Sequence, residues 1–161
     1  MFRKMRRYRQ QICQEDCLKI LREEGRGVLA MIGEDGYPYA IPLDFLYNEG
    51  NGRIYFHCAM QGFKLDLLRS NDKVCFSVMD KGFKREGDWS WNVRSLVIFG
   101  RVREISDPMM IEEQVRALGM KYYPTREGVE LEMKKSLSRV CLLELTIDHM
   151  TGKLVNESWL L

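Results

Sequence analysis

The sequence predicts a mainly β domain: an antiparallel barrel of about six strands with helices at its periphery. Short runs of alternating apolar and polar residues recur along the chain, and glycine-containing turns join several of them. Amphipathic stretches with helical spacing fall between others. With 161 residues the chain has the length of one domain, which buries roughly 70% of the surface its unfolded form would expose. Residues 1–161 are therefore read as a single domain, with 1–10 as a basic N-terminal arm.

The elements follow in order. Arg3, Lys4, Arg6, Arg7 and Arg9 concentrate positive charge in the arm. A helix is expected next, because Cys13, Cys17, Ile20, Leu21 and Glu24 recur at three-to-four spacing, and Gly25 suits a left-handed stop. Residues 27–32 form a short β-rich run. Gly33-Glu34-Asp35-Gly36 supplies turn chemistry before a strand over 37–47, and a second turn lies in 48–52. In 53–58 the alternation sends Ile54, Phe56 and Cys58 to one face and Tyr55 and His57 to the other.

A short helix is expected over 63–69, a strand over 73–79 and a charged loop over 80–91. Trp89 and Trp91 in that loop suit a planar ligand, a subunit contact or plain packing. Residues 94–105 give the longest strand signal, with Leu96, Ile98 and Val102 opposite Ser95, Val97 and Phe99. Pro108 is a good first helical residue for the stripe Ile111, Val115, Leu118 and Tyr122, and Pro124 ends it. Another helix over 128–137 and a final strand over 139–147 complete the series. His149 falls in a polar tail and is read as solvated.

Composition excludes several classes. Lysine and arginine total 25 against 23 acidic residues, so the formal charge of +2 gives no strong prior for nucleic acid. The basic arm offers only Phe2 and Tyr8 for stacking, a weak signal for nucleic acid. The longest apolar runs, 28–32 and 96–99, fall far short of the ~20 residues that cross a bilayer, so no membrane partner is expected. Five cysteines form an odd set without a C-x-x-C pair, and no apolar export segment is visible. Reduced thiols in the cytoplasm are the simple reading. Cys13 and Cys17 lack matching Cys or His partners for zinc, and there is no Walker loop, G-x-S-x-G elbow or H-E-x-x-H.

Chemistry concentrates in 37–68. A strand ends in His57-Cys58-Ala59, and the chain enters a helix through Gly62-Phe63-Lys64. Backbone N–H groups at a helix start lack intrahelical partners and bind anions, Lys64 adds a positive charge, and His57 adds a donor. An ordinary strand-to-helix junction with a solvated lysine has the same spacing. Pro42 cannot donate to a strand ladder, so it marks an edge strand or a bulge. His57 and Cys58 are neighbours on a strand and point to opposite faces, so they do not easily touch as a thiolate–imidazole dyad, and a small buried cysteine is the better account of Cys58.

The blocks PYAIPLDF, IYFHCAMQGFKLDLL, KVCFSV and RSLVIFGRV resemble the pyridoxamine 5′-phosphate oxidase-like FMN-binding split-barrel superfamily, nearest to its nitroimidazole-resistance (Nim) proteins. The resemblance implies a split β-barrel that forms a homodimer with FMN between two subunits. On matching positions it places Pro42, Leu43, Asp44 and Phe45 beside the isoalloxazine ring. His57, Cys58, Ala59, Gly62 and Lys64 hold the ribityl and phosphate groups, Ser95 reaches the flavin, and His57 takes part in chemistry. The implied function is an FMN-dependent oxidoreductase that passes electrons from NAD(P)H to a small organic acceptor such as a nitroaromatic compound. The alternative is a flavin- or haem-binding carrier or sensor without turnover. Val93, Leu96 and the loop 88–91 depart from the family pattern, and the basic C-terminal elements of true pyridoxamine phosphate oxidases are not recognisable, which argues against vitamin B6 oxidation.

Overall fold

The computed structural model of the chain describes residues 1–155, so the last six positions of the 1–161 domain lie outside the described residues. A turn of 3-10 helix at Tyr8–Gln10 precedes α1 (Gln14–Glu23). The strands are β1 (Arg26–Ile32), β2 (Pro38–Asp44), β3 (Leu46–Asn48), β4 (Arg53–Ala59), β5 (Lys73–Met79), β6 (Val93–Ile105) and β7 (Val140–Val155). Helix α2 (Phe63–Ser70) joins β4 to β5, and α3 (Pro108–Tyr122) and α4 (Arg126–Ser136) join β6 to β7.

All seven strands form one antiparallel sheet in the order β2-β1-β5-β6-β7-β4-β3. Its two edge strands, β2 and β3, are consecutive in sequence and separated by Phe45 alone. A sheet whose opposite edges are joined by one residue must curl until those edges meet, and the result is a barrel split along that line. Pro42 lies on an edge strand, as its missing N–H requires. The break at Phe45 also explains why the structure has seven strands where the sequence suggested about six.

Alternation fills the interior. Leu29 and Met31 of β1, Phe76 and Val78 of β5, Leu96 and Ile98 of β6, and Leu143 and Leu145 of β7 point into one core, which α1 closes with Cys17, Ile20 and Leu21. Phe76 packs edge-on to Phe45 (5.2 Å between ring centres) and to Phe56 (5.1 Å), the offset geometry that aromatic quadrupoles favour. The β6/β7 ladder shifts register between Phe99 and Gly100. A Cβ on Gly100 would stand 2.1 Å from the Thr146 carbonyl oxygen, so only glycine permits this approach.

A second packed layer lies outside the barrel. Tyr55 and Leu142 are buried on the opposite face of β4 and β7, where α3 packs, and Leu118, Val129 and Met133 of the α3–α4 hairpin are buried with them. Asp107 caps α3 by accepting from the Met109 N–H (3.0 Å), and Thr125 caps α4 by accepting from the Gly128 N–H (3.2 Å). Glu144 is buried at this level. Tyr55 donates to one of its oxygens and Arg103 to the other, both at 2.8 Å. Burial alone would raise the Glu144 pKa, but the Arg103 and Tyr55 hydrogen bonds outweigh it and hold the carboxylate ionised.

Several expectations change. Gly25 is not a left-handed stop: α1 ends at Glu23, and Glu24 leaves in an extended conformation with φ −83°. The final strand runs on to Val155, because β7 pairs along all of β6. His149 therefore belongs to a strand, with Phe2 stacked on its ring at 4.6 Å, so the N-terminal arm lies against the sheet. Trp89 and Trp91 are 88% and 58% exposed, which excludes packing beneath the loop.

Candidate functional site

The split in the barrel sets the site. The β1/β2 hairpin places Arg26 opposite Asp44, Gly27 opposite Leu43 and Val28 opposite Pro42. Arg26 donates from Nε to Asp44 Oδ1 at 2.8 Å. Pro42, Leu43, Asp44 and Arg26 line a concavity of about 390 Å³ whose other wall is His57, at the end of β4. His57, Cys58 and Ala59 line a second, of about 430 Å³, with Ser136 at the end of α4, Arg139 after it and Val140 at the start of β7. A third, of about 230 Å³ and mainly apolar, runs from Asp44 and His57 between α3 and α4, past Leu118, Tyr122, Val129 and Met133. His57 is common to all three.

The imidazole is exposed at its surface yet closely surrounded. Desolvation pushes its pKa below the usual value, the Asp44 carboxylate opposes this, and the nearby Lys64 ammonium adds to it. The ring is thus neutral near pH 7, with one nitrogen donating and the other accepting.

Lys64 is half-buried in the first turn of α2 and, among the described residues, forms no salt bridge. Gly62 begins this helix at φ +142°, a conformation strained for any other residue, and no side chain caps it. Gly62 O accepts from the Leu65 N–H (2.8 Å) and the Asp66 N–H (3.3 Å), whereas the N–H groups of Phe63 and Lys64 have no acceptor among the described residues. Two free amides and an unpaired ammonium beside a neutral imidazole form a donor set for an anion. The mainly apolar cavity between α3 and α4, which begins at His57, adds space for a planar group.

Phe45 is placed differently from the expectation. Its ring is fully buried and packs on Phe76, facing the core rather than the cleft. Its backbone is held by α3: the Phe45 N–H donates to Tyr122 Oη at 2.8 Å, and Lys121 Nζ donates to the carbonyls of Phe45 (3.0 Å) and Glu24 (2.7 Å). Ser95 is also apart. It pairs with Met79 of β5 on one side and Lys153 of β7 on the other, and because Gly27 pairs with Val78 and Arg26 with Asp44, the row through β5 and β1 brings it to about 14 Å from Asp44 at the spacing of strands.

Sequence reasoning missed Arg26, Ser136, Arg139 and the α3–α4 wall. Arg26 was within reach, since counting back from the turn at 33–37 sets it across from Asp44. The helical wall had no local signal, because the long β6-to-β7 excursion gives no hint of which sheet face it covers.

Among curated proteins none matches the sequence. Solved structures similar in fold include a candidate 5-nitroimidazole antibiotic resistance protein from Bacteroides thetaiotaomicron, 20% identical, TM-score 0.74, covering 89% of this chain and 86% of that one. A FAD-binding protein from Mesorhizobium loti is 20% identical with TM-score 0.68, covering 91% and 97% of the two chains. A FAD- and haem-binding protein from Mycobacterium smegmatis is 22% identical with TM-score 0.72, covering 92% and 74%. The family model described as pyridoxamine 5′-phosphate oxidase matches residues 14–154. With nearly the whole described barrel inside that match, the chain belongs to the pyridoxamine 5′-phosphate oxidase-like split-barrel family.

Proposed function

We propose that the protein is a homodimeric, FMN-dependent oxidoreductase that accepts electrons from NAD(P)H and reduces small organic acceptors of the nitroaromatic kind. The observation that carries this reading is that the Lys64 ammonium, at an uncapped helix start, lies near enough to act on the His57 ring, which itself lines the concavities beside the edge strand β2. Lys64 and the Phe63 and Lys64 amides suit a phosphate dianion. Pro42, Leu43 and Asp44 offer an edge strand along which a flavin ring can lie. Bound there, FMN supplies the hydride and electron chemistry, while His57 donates or accepts a hydrogen bond, Asp44 and Arg26 fix the edge strand, and the α3–α4 wall excludes water.

A second copy has a natural place. Val28, Ile32, Met79, Val97 and Phe99 stand exposed on the outer face of β1, β5 and β6, an apolar surface of the sort that marks protein contacts. Ser95 lies on the same face of β6, so a partner laid across this sheet lets the Ser95 of one protomer approach the cleft of the other. The nitroimidazole-resistance likeness in Bacteroides supports the acceptor class, and the FAD-binding likeness in Mesorhizobium supports a flavin. The test is turnover: purified FMN-loaded protein oxidises NADPH or NADH when a nitroimidazole is added. A dimer that binds flavin but stays inactive with nitroaromatics, quinones and oxygen favours a carrier or sensor instead. That second reading draws on the FAD- and haem-binding neighbour from Mycobacterium smegmatis.

A further inference from the structure

Cys58 and Cys141 are direct partners in the antiparallel β4/β7 ladder. Residues so paired have Cα atoms about 4.5–5.5 Å apart and side chains on one face, inside the range a disulfide spans without backbone movement. Both side chains lie on the core side of their strands: Cys141 is buried in the barrel core, and Cys58 packs against that core. Cys58 is only half-buried, unlike Cys141, and the residue forms part of the lining of the concavity that holds Ala59 and Arg139. The Cys141 thiol donates to Glu104 Oε2 at 3.7 Å, and Arg69 holds that carboxylate from the other side at 2.7 and 3.0 Å.

We propose that Cys58 and Cys141 form a redox-active pair, with Cys58 as the accessible thiol and Cys141 as its resolving partner, oxidised by low-molecular-weight disulfides to a cross-strand disulfide in the cleft wall. In the first step the Cys58 thiolate, its proton lost to solvent, attacks one sulfur of the small disulfide. One small thiolate leaves and is protonated, and a mixed disulfide remains on Cys58. Cys141, held in place by its hydrogen bond to Glu104, then attacks Cys58 Sγ and displaces the second small thiolate, which leaves with the Cys141 proton. The two protein thiols lose two electrons in all, and the small disulfide gains them as two thiols.

The division of labour follows from the surroundings. Burial first, and then the neighbouring Cys58 and Glu104, push the Cys141 thiol well above its usual range, so it does not react with solutes directly. Attached to a partner already on Cys58, it attacks from within the same strand pair. No other two cysteines face each other across a ladder: burial raises the Cys75 thiol, Cys13 donates to Asp16 on an exposed helix start, and Cys17, one turn along the same helix, is buried with its thiol pushed up to about 11 by desolvation and then by Cys13 and Asp16. The chemistry needs no bound cofactor.

The experiment treats reduced, folded full-length protein with oxidised glutathione, alkylates the remaining thiols and maps tryptic peptides without reduction. The expected product joins the 54–64 peptide to the 140–153 peptide and replaces both of their alkylated forms. Cys141→Ser is expected to stop at a glutathione adduct on Cys58, and Cys58→Ser is expected to leave Cys141 unmodified. Wild-type protein in which Cys58 and Cys141 both stay free while Cys13 or Cys75 reacts overturns the proposal. So does a Cys58→Ser variant that gains glutathione on Cys141.

Discussion

Tyr122→Phe tests how α3 fixes the split in the barrel. The Tyr122 hydroxyl accepts from the Phe45 N–H at 2.8 Å and lies within reach of two carbonyls, those of Phe45 and Gly25, donating to one of them at a time. Phe45 is fully buried, so without the hydroxyl its N–H has no acceptor. The Phe45 carbonyl keeps Lys121 at 3.0 Å, so the loss centres on the amide. An unsatisfied buried donor costs ~1–3 kcal/mol, and water entering from the adjoining cavity holds the expectation near the middle, about 2 kcal/mol. Desolvation pushes the Tyr122 pKa up to about 12, so the phenol stays protonated across the assay range. Urea unfolding followed by circular dichroism, at fixed protomer concentration, should show a lower midpoint at unchanged slope. For a chain of this size the loss corresponds to a Tm fall of roughly 4–8 °C. A change under ~0.5 kcal/mol would mean that the hydroxyl does not secure the strand break.

Other perturbations follow from the same contacts. Gly27→Ala puts a Cβ 2.4 Å from the Phe76 ring and 2.8 Å from the Ser77 carbonyl oxygen, so overpacking should cost ~1–3 kcal/mol by urea titration. Phe76→Ala removes the central ring of the Phe45–Phe76–Phe56 stack, and a loss of ~3–5 kcal/mol is expected by the same method. Desolvation lowers the Lys121 pKa to about 8 in the folded protein, against an ordinary 10.5, although Glu24 and Asp44 oppose the shift. Between those values the unfolded chain binds more protons, so wild type should gain stability relative to Lys121→Met as pH rises from about 8 towards 10.5. A flat or falling difference curve would show that the two carbonyls and the Phe45 ring, 4.1 Å away, keep the ammonium charged.

Much of the fold was legible because its signals are local. The alternation in 27–32, 73–79 and 94–105 marks one buried face, and each run appears as a strand facing the core. Pro42 announced an edge strand through its missing donor, and the junction from His57 to Lys64 announced a helix start with free amides. What stayed hidden depends on distant partners. Phe45 reads as one more strand residue, but Tyr122 and Lys121, more than seventy positions later, take its backbone and turn it into the break between β2 and β3. Arg139 and Ser136 reach the cleft only because β7 lies beside β4. Ser95 carries a family motif, yet it stands three strands across the sheet from Asp44, a placement fixed by ladder pairing that no local pattern shows.

The central claim is that the start of α2 grips the phosphate of FMN, and the most direct measurement is a titration of wild type and Lys64→Ala with FMN, followed by the change in flavin absorbance and fluorescence. Wild type should bind one flavin per protomer and retain it through desalting. Lys64→Ala, which folds normally because the side chain makes no salt bridge among the described residues, should bind more weakly by ~1.5–3 kcal/mol, or about 10- to 150-fold. Equal affinities for the two proteins, or no binding by wild type, would contradict the account.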